Sequence, residues 1–222
     1  MNEVYNISAR YFHALHGFTA IEPTRYNLNG VHVCPRKEGG VLMVATDGRS
    51  LGLFIDEAGH APEAAQFRLT TVSERSLGAW LSDPAYKPES VRLQWGKIEE
   101  DRVGDVEQVG AQDDLDLMEW FEGRIERVHG SYPDWRRLWP EDPGEAVPAG
   151  VLFNAGLLAR FEACSFNTTT APFVQIMGKE LTGAFIVRTA CPDFCGLMMP
   201  MRDTGWVDRL AADLERFKIE VS

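Results

Sequence analysis

The chain has 222 residues, 45% hydrophobic and 25% charged, an ordinary globular composition with enough length for one or two cores. No apolar run approaches the roughly 18 residues of a membrane-spanning helix, Met1-Asn2-Glu3-Val4 has no leader pattern, and 4 cysteines make no disulfide framework, so a cytoplasmic protein with reduced thiols and no membrane partner is expected. The formal net charge of −11 opposes non-specific attachment to nucleic-acid phosphates unless the cations gather on one face.

Val4-Tyr5-Asn6-Ile7 reads as a strand. Ser8 follows as N-cap of a helix from Ala9 to about Gly17, with Phe12 and Leu15 inward. Strand-like runs occupy 26–34 and 41–55. Within the second, Val41–Thr46 is a buried-strand pattern that stops at Asp47-Gly48, where glycine supplies the positive φ of a tight turn. Leu51-Gly52-Leu53-Phe54 then resumes the apolar run. This arrangement displays Thr46, Arg49 and Leu51 at a sheet edge, which suits docking better than reaction. Phe67-Arg68-Leu69-Thr70 opens the same outline again, with a helix from about Ser73 to Leu81 that turns Leu77, Trp80 and Leu81 inward. Runs at 90–96 and 121–129 follow. Residues 99–122 are strongly acidic, with Arg102 as the only basic side chain, and read as a solvated insertion. The proline-rich stretch 140–149 reads as a linker. Gly150-Val151-Leu152-Phe153 opens the outline a third time, with Asn154 as N-cap of a helix to about Cys164 and Leu157, Leu158 and Phe161 inward. Runs at 172–177, 181–189 and 194–201 complete it. Trp206, Val207, Leu210, Leu214 and Phe217 lie on one face of a final helix.

A β-α-β-β-β unit thus recurs at a spacing of roughly 65–80 residues. The expected class is α+β, with antiparallel sheets backed by helices. No reaction centre emerges. Asp113-Asp114-Leu115-Asp116 offers carboxylate oxygens for Mg²⁺, but no lysine, phosphate loop or histidine stands beside it. Cys191 and Cys195 lack the second pair that a structural zinc site needs. No catalytic residue, metal or cofactor is expected.

Four segments carry a resemblance: Arg25-Tyr26-Asn27-Leu28-Asn29-Gly30-Val31, Val44-Ala45-Thr46-Asp47-Gly48-Arg49-Ser50-Leu51, Tyr132-Pro133-Asp134-Trp135-Arg136-Arg137 and Met198-Met199-Pro200-Met201-Arg202. In content and order they resemble the bacterial DNA polymerase III beta sliding clamps, rings that tether polymerase to DNA. The resemblance covers roughly residues 4–58, 66–97 and 121–203. It implies DNA-clamp-like repeats, two units to a domain. Residues 1–139 would form one clamp-like domain interrupted by the acidic insertion at 99–122. Residues 140–149 would link it to a third half-unit at 150–203, and 204–222 would add a helical extension. The chain would be a truncated relative of a three-domain clamp.

In that family the four segments line one hydrophobic cleft that receives short peptides of polymerases and the clamp loader. The resemblance therefore implies a peptide-binding role for Leu28, Thr46, Gly48, Arg49, Leu51, Pro133, Arg137, Leu138, Leu197, Met199, Pro200, Met201 and Arg202. Apolar walls and an adaptable methionine pair suit such a ligand. One departure stands out: the family commonly has His-Arg after Asp-Gly, and here Arg49-Ser50 moves the arginine by one position, which in a strand would flip it to the other face. Family helices face the hole of the ring, so Arg10, His13, His16, Arg75 and Arg160 are the candidates for weak, backbone-directed contact with double-stranded DNA. The implied role is a non-catalytic, homo-oligomeric tethering factor of DNA replication or repair that holds polymerase or clamp-loader peptides and encircles DNA. The alternative is a clamp-derived adaptor or decoy that binds peptides without closing around DNA.

Overall fold

The computed structural model describes residues 4–81, 91–98, 103–109, 122–142, 144, 146–148, 150–166 and 171–202. The final helix expected from Trp206, the Asp113–Asp116 run and the side chain of Trp80 lie outside the described residues. The first unit is β1 (Val4–Ser8), α1 (Ala9–His16), β2 (Val31–Pro35), β3 (Val41–Thr46) and β4 (Ser50–Asp56). The second is β5 (Ala65–Leu69), α2 (Thr71–Leu81), β6 (Arg92–Gly96), β7 (Val103–Val109) and β8 (Glu122–Arg127). The third is α3 (Ala155–Ala159), β9 (Val174–Met177), β10 (Phe185–Thr189) and β11 (Phe194–Met198). It opens on a single bridge between Leu152 and Met201 in place of a strand.

Local chemistry accounts for the helix starts. The Ser8 hydroxyl accepts the Tyr11 N–H at 3.4 Å, and Asn154 Oδ1 accepts the N–H groups of Gly156 and Leu157 at 2.9 and 3.1 Å. Asp56 accepts the buried Ser8 N–H at 2.7 Å and is itself held by Arg92 at 2.9 Å. Besides the missing opening strand of the third unit and its helix, which ends at Ala159 and continues to Cys164 only as a 3-10 turn, two stretches differ from the sequence expectation. Pro23–Leu28 forms 3-10 turns kinked at Arg25 (φ −113°, ψ 42°) where the sequence reading has a strand from residue 26; Pro23 at the first turn has a preset φ and no N–H to lose. The acidic stretch does not loop out as a unit: Val103–Val109 forms β7, paired with β6 and β8, and Asp105 stands opposite Arg124. Backbone pairing overrides the unfavourable composition there.

The described strands form one antiparallel sheet of 11 in the order β1-β6-β7-β8-β5-β2-β3-β4-β11-β10-β9. The first two units interlock: β1 pairs with β6, β2 pairs with β5, and α1 packs beside α2. The third joins through β11, which pairs with β4 along Phe194–Met198. Strand alternation separates two cores. Tyr5, Phe12, Leu15, Met43, Phe54, Phe67 and Phe161 are buried on the helix side. On the other side Val44, Leu51, Leu53, Ile186 and Leu197 are covered by Trp135.

Candidate functional site

The sharpest local structure is the turn between β3 and β4. Gly48 has φ +84°, which disfavours any other L-residue. Thr46 Oγ1 donates to the Ser50 carbonyl at 2.7 Å and accepts the Gly48 N–H at 3.0 Å. Asp47 organises the rest. Its Oδ1 accepts the N–H groups of Arg49 and Ser50 at 2.8 and 2.9 Å, and its Oδ2 accepts from Arg160 at 2.7 Å. Arg160 also donates to Ser50 Oγ at 2.9 Å. Arg25 donates from beneath to the Asp47 carbonyl. Burial alone would raise the Asp47 carboxyl, but the amides of Ser50 and Arg49 and the Arg160 guanidinium together hold it below the usual carboxylate value.

A second wall is the 3-10 turn Trp135–Leu138. Trp135 is buried against the sheet with the Arg136 guanidinium 4.6 Å from its ring centroid. Behind it, Tyr132 donates to the Val44 carbonyl at 3.4 Å and stacks on His32 with centroids 4.6 Å apart. Burial, aided by Arg136, lowers His32 to about 4, so it stands neutral in this wall.

The third wall follows from register. Leu197 pairs with Leu51 across β11 and β4, and the Met199 N–H extends the ladder to the Arg49 carbonyl at 2.9 Å. The result is a shallow cleft of about 50 Å³ lined by Thr46, Gly48, Arg49, Leu51, Leu138, Leu197 and Met199, together with Ser50 and Ala184. Leu138, Met199 and the nearby Met201 leave 51%, 39% and 48% of their surface in water, a concentration of exposed apolar side chains at one place. Beyond Leu138 and Ala184 the surface opens into a polar cavity of about 390 Å³ that includes Arg137 and the Asp142–Lys179 pair.

The cleft therefore brings together part of the residue set read from the sequence. Arg49 lines it despite the one-position shift, because β4 begins at Ser50 and a turn residue does not obey strand alternation. Arg137 pairs with Asp134 at 2.9 Å and borders the polar cavity. Leu28 ends the 3-10 helix, where its carbonyl accepts the Ala20 N–H at 3.0 Å. Pro133, Pro200, Met201 and Arg202 do not line the cleft, although Met201 is fixed nearby by its bridge to Leu152. Ser50 and Ala184 were not singled out in the sequence. Ser50 carries a signal only as the residue after Arg49, and Ala184 carries none.

The helix candidates separate more sharply. Arg75 is exposed on α2. Arg10 lies 4.5 Å from the Phe166 ring centroid. Arg160, expected to face solvent, turns instead into Asp47. His13 packs against Gly78 of α2, and burial lowers its pKa. His16 accepts the Leu69 N–H at 3.4 Å, and burial, with the neighbouring His13, lowers it from 6.5 to about 3. The Glu74 carboxylate, 3.9 Å away, is beyond hydrogen-bond reach and does not offset that burial. The two histidines thus belong to the helix–helix contact and carry no charge at neutral pH.

A pH dependence follows. The unfolded chain protonates His16 below 6.5, while the folded chain resists to about 3. Its contribution to stability is full above 6.5 and declines by about 1.4 kcal/mol per pH unit as the solution is acidified through that window. His16→Gln, which keeps an acceptor for Leu69, should flatten the fall in melting temperature between neutral and mildly acidic pH. Thermal melts across that range check it; an unchanged slope would show that His16 does not titrate as its surroundings require.

The four cysteines are free thiols, and among the described residues no group of three or more His, Cys, Asp or Glu side chains is placed to hold a metal. No described helix is long and apolar enough to cross a membrane.

No protein-family model and no curated protein matches the sequence. Solved structures do. The chain is similar to the DNA polymerase III beta subunit of Thermotoga maritima, at 14% identity and TM-score 0.58 over 91% of this chain and 66% of that one. It is similar to a DNA polymerase sliding clamp of Pseudomonas aeruginosa, at 15% identity and TM-score 0.60 over 90% of this chain and 66% of that one. It is also similar to a sliding clamp of Bartonella birtlesii bound to griselimycin, at 14% identity and TM-score 0.61, again over 90% and 66%. The fold is that of the DNA polymerase III beta sliding clamps, and the chain spans about two thirds of their length, 66% in each of these three.

Proposed function

We propose that this chain is a clamp-like, non-catalytic tethering factor that holds proteins of DNA replication or repair by a short peptide seated in the Thr46–Leu51, Leu138 and Leu197–Met199 cleft. One observation carries the reading. Segments far apart in the chain converge on a shallow apolar cleft, and exposed Leu138 and Met199 flank a turn held by buried polar bonds. That combination suits an extended peptide with apolar anchors: a rigid floor, an adaptable methionine rim and Arg49 for a carbonyl or acidic group. Pro133, Arg137, Pro200, Met201 and Arg202 belong to the flanks of the same proposed surface. The partners in this reading are DNA polymerase or clamp-loader peptides.

The test is a fluorescence-anisotropy titration with a labelled peptide that carries Leu and Phe near its end. Micromolar binding is expected. Met199→Ala should weaken it by about 1–3 kcal/mol, the range for truncating an apolar anchor. If no peptide of this type binds, the reading fails.

Encirclement of DNA by an assembled ring belongs to the same proposal, with weak contacts made through the helices. The inward turn of His13, His16 and Arg160 favours the second reading, an adaptor that binds peptides without closing around DNA. Retention on nicked circular DNA that is lost when the circle is cut would support the ring. Equal absence of retention on both would support the adaptor.

A further inference from the structure

Units one and two satisfy each other reciprocally. The strand after each helix pairs with the opening strand of the other unit, β2 with β5 and β6 with β1, while α1 lies beside α2. Each opening segment also pairs with the end of its own unit: Asn6 with His60, β5 with β8, and Leu152 with Met201. The third unit makes this last, internal contact, and among the described residues it makes none of the reciprocal ones. β9 ends the sheet, bonded to β10 on one side, and among the described residues no strand lies against its other edge.

This open edge is apolar where it begins. Phe173 and Val174 are 50% and 38% exposed. Ser165 pins Phe173, its hydroxyl donating to the Phe173 carbonyl and accepting the Phe173 N–H, each at 3.0 Å. Between this edge and α3 runs a mostly apolar groove of about 390 Å³ with Ala155, Leu158, Pro172, Phe173 and Val174 in its walls and Glu162 as its one charged side chain. It occupies the flank of α3 that corresponds to the α1–α2 contact of the first two units.

We propose that the third unit binds the third unit of a second copy of this chain about a twofold axis. β9 of each copy pairs with segment 151–153 of the other, and the two α3 helices pack across the groove. The occupant follows from the edges themselves. A unit of this kind needs one strand-after-helix and one opening strand from its mate, and a second copy offers both in the same operation. Such an interface is isologous and closes on itself, removing the exposed sheet edge. The inference stands apart from the peptide-binding reading, since the cleft straddles the β4–β11 junction on the sheet face opposite the helices, whereas the groove lies beside α3 at the β9 end.

Light scattering of the full chain over a range of micromolar concentrations tests it. The expected result is a species of twice 24.9 kDa. Val174→Lys, which places a charge on the open edge, and Leu158→Glu, which adds a second carboxylate beside Glu162 in the groove, should each give a monomer with the melting behaviour of a folded protein. Hydrogen exchange on the unaltered chain supplies a second reading. Amides of 151–153 and 174–177 should gain protection as concentration rises. A monomer at every concentration overturns the proposal, and so does a dimer that survives both substitutions. Protection of these segments that is independent of concentration, in a monomer, means that the chain's own residues after Arg202 cover the groove, which also overturns it.

Discussion

Phe161→Ala should destabilise the protein by about 3–5 kcal/mol, the cost of deleting a buried aromatic side chain and leaving a cavity. Phe161 is fully buried two residues past α3, with its ring 5.1 Å from that of Phe18 and 6.0 Å from that of Phe194. It reaches from the third unit onto the first. The backbone beneath it is built for that ring: Gly196 pairs with Gly52 across β11 and β4, and a Cβ at Gly196 would stand 2.5 Å from the Phe161 ring and 2.7 Å from the Leu51 carbonyl. A side chain there would meet backbone as well as ring, so the surroundings cannot relax cheaply. The vacancy left by Phe161→Ala therefore lies at the junction that also aligns Leu51 with Leu197. Urea denaturation measures the loss, and Phe161→Leu should recover part of it. A loss below about 1 kcal/mol would mean that the junction repacks and that the ring stack is not what joins the units.

Arg160→Ala should cost about 2–3 kcal/mol, below the full range for breaking a buried ion pair because both side chains keep some exposure. The side chains of Arg160 and Asp47 are 25% and 12% exposed. Without the guanidinium, Asp47 retains its two backbone donors but loses its ionic partner, and Ser50 Oγ loses its donor. Arg160→Lys should recover part of the loss, since both bonds leave the single nitrogen Nη1 and an ammonium can donate to both acceptors. Asp47→Asn combined with Arg160→Ala should cost less than the sum of the two, a coupling of about 1–2 kcal/mol. The sign with pH is that of a depressed carboxyl. Its contribution is full above the ordinary 3.8 and is lost as pH falls through the lower folded value. Because the pair fixes the turn that bears Gly48 and Arg49, peptide affinity should fall together with stability. Arg160→Ala with unchanged melting and unchanged affinity would remove Arg160 from any account of the cleft.

Much of the fold is written locally. Ser8 and Asn154 announce helix starts by their own side-chain chemistry, and both cap as expected. Val41–Thr46 and Leu51–Phe54 read as strands about a glycine turn and fold so, with alternation sorting their side chains between the two cores. Pro23 also carried a local signal, for a 3-10 turn, that an apolar strand reading of the same stretch passed over. β7 carried none, since its acidic sequence becomes a strand only because β6 and β8 stand on either side.

The repeated outline, the antiparallel α+β class, the Asp47-Gly48 turn and the apolar character of the Leu197–Met201 segment are legible along the chain, because each depends on neighbours within a few residues. Where the charges point depends on long-range packing. Arg160, which the sequence pattern leaves facing outward, caps the end of α3 and pairs with a carboxylate 113 residues away. His13 and His16 look like a solvated helix face until α2 covers them and burial strips their charge. Ser50 and Ala184 enter the cleft through the register of β4, β10 and β11. Periodicity records which side of an element is apolar. It does not record which distant element arrives on the polar side, and desolvation by that arrival turns a surface cation into a buried partner.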